Sequence, residues 1–206
     1  QPLSPAEKDI VLMRLRAAKE GIERTDPAIL RFVSIFTKAL VVQRDPAAPR
    51  LFSSGSSAQY VGRSVLANAH IDTVSEIELA EGLVHEAIHS LLYMQEQRKD
   101  WVASEELYGP QHRTVSLWTG NPLPLRSYLQ ACFVWYGLLC FWTQALPADG
   151  FAPARVKDRI VQSASGFLGQ PLLAQVKPYL TQLAPEVVDA IELIQDHVRS
   201  SLHDLV

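Results

Sequence analysis

The feature that most constrains this chain is a HExxH motif, His85 to His89, set in a stretch of apolar residues that recur at helical spacing. Residues four apart on an α-helix lie one turn above each other, so His85 and His89 present two imidazoles to one point beside the axis. Glu86 lies about 100° further around the helix, where its carboxylate can reach a water or substrate group on a metal. Because imidazole suits zinc, iron, nickel and copper, the motif predicts a metal site before it predicts a reaction.

A catalytic metal site needs at least one more protein ligand, and the sequence does not single it out. The candidates downstream of the motif are Glu105, Glu106, His112 and Gln130, among which Glu106 is our prediction for the third ligand. The alternative is that the two histidines are core residues whose hydrogen bonds are made within the protein, or that they belong to a site that has lost its metal. The apolar helical context favours the metal site, since two histidines on a buried helix need partners.

Composition limits the class of protein. With 206 residues, 48% of them hydrophobic, we expect a single domain over residues 1–206 with one covered core. The net charge of -3 and the scattered lysines and arginines argue against a nucleic-acid partner. Cys132 and Cys140 are eight residues apart on one apolar helical stretch, too far for a disulfide, which indicates reduced thiols and a cytoplasmic protein. The sequence has no run of 18 or more apolar residues, so it predicts no membrane span.

Hydrophobic spacing predicts an α+β fold, mostly α-helical, with a small β-sheet packed beside a buried HExxH helix. Ser4 is the expected N-cap of the first helix, and Asp26-Pro27 starts the second. A capping box, either Thr73 with Glu76 or Ser75 with Glu78, is expected where the metal helix begins. The predicted strands are 39–43 and 60–68, separated by a Pro- and Ser-rich connection. The other predicted helices are 125–146, 155–168, 171–182 and 185–205.

The order of these features resembles the bacterial HExxH-motif family of iron- and 2-oxoglutarate-dependent peptide β-hydroxylases. The resemblance runs from about residue 5 to residue 146, leaving 147–206 as C-terminal helices. It is carried by the Ser-rich run 53–57, the motif run 79–89, the stretch Trp118-Thr119-Gly120-Asn121-Pro122-Leu123-Pro124, and the helical stretch 129–134 with its aromatic and small residues.

The resemblance implies that His85 and His89 hold Fe(II), that 2-oxoglutarate is the cosubstrate, and that a peptide or amino-acid-derived substrate is hydroxylated in natural-product biosynthesis. The family pattern has arginine where this chain has Thr119 and Leu123, and histidine where it has Gln130. Since arginine is the natural bidentate partner of a carboxylate, Arg113 and Arg126 become the expected cosubstrate ligands.

Two further functions remain open. A zinc-dependent hydrolase or peptidase would use Glu86 as the general base toward a metal-bound water, with Glu105 or Glu106 as the natural third ligand. A non-catalytic metal- or peptide-binding module would retain the HExxH helix but would catalyse no reaction. The oligomeric state does not follow from the sequence.

Overall fold

The computed structural model describes residues 2–203 and has the mostly helical α+β fold that the sequence predicts. Residue contacts divide the chain into two compact units, the first comprising Gln1–Met94 with Cys140–Lys157 and the second Gln95–Leu139 with Asp158–Val206. A single domain over residues 1–206 stays a prediction. Within the described range, no helix combines the length and the apolar character needed to cross a membrane.

Two helices, α1 (Pro5–Thr25) and α2 (Pro27–Phe36), open the first unit, and both have proline at the first helical position. The predicted caps are present. Ser4 Oγ accepts a hydrogen bond from the Glu7 N–H, while the Glu7 carboxylate accepts one from the Ser4 N–H at 2.7 Å. Asp26 Oδ1 accepts from the Ala28 N–H at 2.7 Å. These side chains satisfy amides that have no partner inside the helices.

A three-stranded sheet follows, formed by β1 (Ala39–Gln43), β2 (Ser53–Ser56) and β3 (Arg63–Ala67). The strand order is β1-β3-β2, with β1 parallel and β2 antiparallel to β3. The sequence predicts β1 and the whole of β3 but places β2 in a connection, because serine and glycine are poor strand formers. Pairing with β3, in which Ser54 lies opposite Leu66, accounts for the strand.

The HExxH motif lies on α3 (Glu76–Arg98), which packs beside this sheet. Of the two expected capping boxes, the structure has Ser75 with Glu78, whose Oε2 accepts the Ser75 N–H at 3.0 Å and also contacts the Ser75 hydroxyl. The helix approaches β2 closely, since a Cβ added at Gly82 would lie 3.3 Å from the Ser54 Cβ. Further along, Ser90 Oγ accepts a hydrogen bond from the Gly62 N–H at 3.3 Å.

The second unit contains a two-stranded sheet and most of the remaining helical residues. The elements that complete the chain are a 3₁₀ helix Glu105–Tyr108, β4 (Arg113–Val115), β5 (Pro122–Pro124), α4 (Leu125–Ala145), α5 (Pro153–Leu168), a 3₁₀ segment Leu172–Gln182 and α6 (Pro185–His203). The amphipathic helix predicted over 171–182 is a 3₁₀ segment, Leu172–Gln182, and not an α-helix. Val176 has non-helical backbone angles and Pro178 lies inside the segment, so a continuous α-helix cannot form.

Gly21 on α1 should not tolerate a side chain. A Cβ at this position would lie 2.5 Å from two atoms of the Phe151 ring and 2.9 Å from the Gly150 carbonyl oxygen. We expect Gly21→Ala to lower the free energy of unfolding by about 1–3 kcal/mol through overpacking, measured by urea denaturation. Gly169→Ala is the control, because nothing lies within 4 Å of its added Cβ. Equal stability of Gly21→Ala and the parent protein would contradict this close approach.

Glu7 should make stability depend on pH. Hydrogen bonds from Arg44 and from Ser4 lower the pKa of Glu7 from its ordinary 4.5 to about 2. The stabilisation is therefore present above pH 4.5 and is lost as the pH falls toward 2. We expect Glu7→Gln to lower the urea midpoint at pH 7 and to leave it nearly unchanged near pH 2. Glu20→Gln, an exposed change on the same helix, should have little effect at either pH. An effect of Glu7→Gln that is equal at both pH values would contradict the assignment.

Candidate metal centre

The two histidines of the motif meet as the helical spacing predicts. Their Nε2 atoms are 3.1 Å apart and their ring centroids 4.8 Å apart. Two nitrogens on one tetrahedral ion with bonds of about 2.0–2.1 Å would lie roughly 3.3 Å apart, so the pair is close to the separation that a shared metal requires. The same separation allows an N–H···N hydrogen bond between the rings. The structure thus brings His85 and His89 together in an arrangement that suits metal binding.

His85 is neutral at physiological pH. Removal of its ring from water and, to a smaller extent, the nearby His89 lower the pKa of His85 from its ordinary 6.5 to about 4, against an opposing effect of Glu86. Its side chain is still 30% exposed, so the ring is reachable from solvent. Neutral imidazole is the form that binds metals, and no proton has to be displaced at neutral pH before His85 can do so.

Glu86 lies beside the histidine pair with two differently placed oxygens. The residue is 1% exposed. Its Oε1 accepts a hydrogen bond from Ser54 Oγ at 2.6 Å and lies 4.0 Å from His85 Nε2. Its Oε2 is buried and accepts no hydrogen bond from the residues that the structure describes. A fixed carboxylate with one uncommitted oxygen is suited to exchanging a proton with a bound water or substrate group.

Ser54 and Tyr93 belong to the site although sequence reasoning did not select them. Ser54 orients Glu86 from β2, and the only sequence signal was the Ser-rich run 53–57. Tyr93 stacks on His89, with ring centroids 5.8 Å apart and planes inclined by 17°. Its position four residues after His89 places it on the same helix face, so helical spacing could have identified it.

The candidates for the third ligand lie in the second unit. Glu105 and Glu106 are exposed on their 3₁₀ helix, and the His112 ring packs edge-on against Tyr179 with centroids 5.4 Å apart. Among the side chains that the structure describes, those of residues 2–201, no group of three or more histidine, cysteine, aspartate or glutamate residues is arranged to hold a metal ion. The histidine pair and Glu86 therefore fit part of a metal centre, and ligation by Glu106 stays a prediction.

The expected cosubstrate ligands also lie in the second unit, and both have partners there. Arg126 forms an ion pair with Glu96, and its guanidinium lies 5.1 Å from the centre of the Tyr108 ring. The buried Gln130 donates to Glu96 Oε1 at 2.7 Å. Arg113 is exposed and donates to the Pro122 carbonyl oxygen at 2.7 Å. A carboxylate ligand at either arginine would have to compete with these contacts.

Comparison with protein-family models finds no match for this chain, and comparison with curated proteins finds none either.

Ser54 should stabilise the protein through Glu86. Ser54→Ala leaves a buried carboxylate oxygen without its donor, so we expect the free energy of unfolding to fall by about 1.5–3 kcal/mol, measured by urea denaturation. Ser56→Ala on the same strand is the matched control. Ser56 Oγ is buried but has no hydrogen-bond partner among the described residues, so its removal should cost less than about 0.5 kcal/mol. Equal losses in the two variants would show that the Ser54–Glu86 bond contributes nothing specific.

Proposed function

We propose that this protein is a metal-dependent oxygenase that hydroxylates a peptide or amino-acid-derived substrate, using Fe(II) and 2-oxoglutarate. The observation that carries the metal is the 3.1 Å separation of the His85 and His89 Nε2 atoms beside a buried Glu86. The choice of iron and 2-oxoglutarate is supported by the resemblance over residues 5–146. A cytoplasmic role in natural-product biosynthesis is part of the same proposal.

In this proposal each residue of the site has a separate task. His85 and His89 bind the ion, which supplies the redox chemistry toward oxygen and the keto acid. Ser54 fixes Glu86 through Oε1, so that the carboxylate is held beside His85 and can hold or release a proton there. Tyr93 limits rotation of the His89 ring by stacking on it. Arg113 or Arg126 binds the cosubstrate carboxylate after exchanging its present partner.

A zinc-dependent hydrolase is the second candidate, and the state of Glu86 favours it. The Oε2 atom is buried and accepts no hydrogen bond within the described residues, which suits a general base toward water. This function needs no cosubstrate and therefore no arginine. It shares the histidine pair with the first candidate, so metal binding alone does not distinguish the two.

Anaerobic titration separates the candidates. We expect the protein loaded with Fe(II) to develop the weak visible charge-transfer band of a 2-oxoglutarate chelate, and His85→Ala to lose it. His197→Ala is the matched control, since His197 is exposed on α6 and packs against Tyr136. Zinc binding with no band in the iron form would favour the hydrolase. Failure to bind either metal would contradict both enzymes and leave a binding module.

Glu86→Gln tests the role of the carboxylate. If the protein is a hydrolase, the zinc form should lose about 10²- to 10⁴-fold in peptide hydrolysis, because the amide cannot act as a base. If it is an oxygenase, the variant should still bind Fe(II) and oxidise 2-oxoglutarate without coupled hydroxylation. Metal binding, measured by competition with a chelating dye, should weaken by no more than roughly 10- to 100-fold in either case, because both histidine ligands remain. Full hydrolytic activity in Glu86→Gln would rule out the hydrolase.

A further inference from the structure

The three-stranded sheet of the first unit has a free edge at β1. The strand order is β1-β3-β2, so β3 is the one neighbour of β1 among the strands that the structure describes. None of the five residues of β1 is buried, and Val41 at its centre is 39% exposed. An edge strand of this kind presents a row of unpaired backbone groups to solvent.

Two hydrogen bonds at the ends of β1 show which of its backbone groups face β3. The Ala39 N–H donates to the Gly62 carbonyl oxygen at 3.1 Å, and the Gln43 carbonyl oxygen accepts the Asn68 N–H at 2.9 Å. Ala39 and Gln43 are four positions apart, and alternate residues of a strand direct their backbone groups to the same neighbour. The first, third and fifth residues of β1 therefore bond to β3.

The second and fourth residues of the strand, Leu40 and Val42, face the other way. Their backbone N–H and C=O groups point to the open edge and have no hydrogen-bond partner among the described residues. Two residues with outward groups, separated by one residue, match the spacing at which another extended strand offers its own groups. The edge therefore fits a β-strand, which would extend the sheet through main-chain hydrogen bonds.

β1 also lacks the features that keep free edges from pairing, which are lysine, proline, a β-bulge or a very short strand. Its five residues are uncharged and include no proline, and its pairing with β3 runs from Ala39 to Gln43 without a bulge. Lys38, which precedes the strand, donates its Nζ proton to the Ser34 carbonyl oxygen of α2 at 3.1 Å. The opposite edge, β2, is shorter and consists of serine and glycine, which are poor strand formers. Of the two edges, β1 is the one that favours pairing.

The strand is complementary to a second copy of itself. In antiparallel pairing centred on Val41, Leu40 of each copy lies opposite Val42 of the other, and these residues exchange both backbone hydrogen bonds. All the outward N–H and C=O groups of both strands are then paired. Val41 meets its own counterpart, and Val65 of β3 lies beside it in each copy, so four valines form one row across the joined sheet. Such cross-strand pairs of β-branched side chains are favourable.

We propose that this protein forms a two-fold symmetric dimer in which β1 pairs antiparallel with β1 of a second copy, joining the two sheets into one of six strands. The strand order is β2-β3-β1 in one copy, followed by β1-β3-β2 in the other. The pairing requires neither the histidine pair nor a metal. Two paired strands make a small interface, so we expect a dissociation constant on the order of 10–100 µM.

Sedimentation velocity of the full chain from about 5 µM to about 500 µM tests for the dimer. We expect the average mass to rise with concentration toward that of two chains. Val41→Lys places two ammonium groups opposite each other and should weaken association by roughly tenfold or more. Val161→Lys, a change at a 70% exposed valine of α5, should leave association unchanged. Circular dichroism spectra confirm that each variant folds.

Cysteine crosslinking tests the register independently of the lysine variants. The Cα atoms of residues opposite each other in a non-hydrogen-bonded pair are about 4.5 Å apart, within the range of a disulfide, so Val41→Cys should form a linked dimer under mild oxidation. Ala39→Cys and Gln43→Cys should each stay unlinked alone, since each lies about 13 Å from its own counterpart, but a mixture of the two should crosslink. The parent protein, in which Cys132 is buried and Cys140 half-buried, is the control.

Association that Val41→Lys weakens, together with the expected crosslinks, would support the proposal. A monomer over the whole concentration range would overturn it. A dimer that Val41→Lys and Val161→Lys affect alike would place the contact on another surface and overturn it too. The absence of a crosslink in Val41→Cys would overturn the antiparallel pairing, and it decides the question if Val41→Lys does not fold.

Discussion

The hydrogen bond from Ser54 to Glu86 is the interaction on which the candidate site depends. A carboxylate that is 1% exposed is tolerated in a folded protein only when its desolvation is compensated, and here one side-chain donor from a neighbouring strand provides that compensation. The bond ties β2 to α3 and fixes the side chain between His85 and the sheet. The pairing of β2 with β3 and the close approach of Gly82 to Ser54 hold two successive turns of α3 against this strand.

The two oxygens of Glu86 give the site its chemical character. One is fixed by Ser54 and the other is buried without a donor, so this carboxylate is held in place yet retains capacity to accept a proton. Both proposed reactions use this property and differ in what the ion does. Only the oxygenase needs an arginine for its cosubstrate. In the structure Arg126 is paired with Glu96, and Arg113 donates to a backbone carbonyl oxygen. The oxygenase proposal therefore requires rearrangement of one of these contacts before an arginine can bind a cosubstrate carboxylate, whereas the hydrolase proposal requires none.

The sequence predicted those features that depend on residues close together in the chain, such as helix caps and contacts between residues four apart on a helix. The caps at Ser4 and Asp26 and the meeting of His85 with His89 follow from helix geometry, and all are present. Ser54 was missed because its contact with Glu86 joins residues 32 positions apart and lies on a strand made of weak strand formers. The partners of Arg126 and Gln130 were missed for a related reason. Both converge on Glu96, and no spacing rule connects positions on two separate helices.

The pairing of β2 with β3 has a consequence for how this chain can vary. Successive side chains of a strand point to opposite faces, so a single-residue insertion or deletion within β2 would turn Gly55 or Ser53 toward α3 in place of Ser54. Gly55 has no donor side chain, so a shift that brings Gly55 to this position would leave Glu86 buried without its hydrogen bond, whereas Ser53 would bring another hydroxyl. Length changes in the connection between β1 and β2 would leave this pairing intact. Homologous chains should therefore vary in length in the connections on either side of β2, while the strand itself keeps its length and Ser54 its place opposite Leu66 wherever Glu86 is retained.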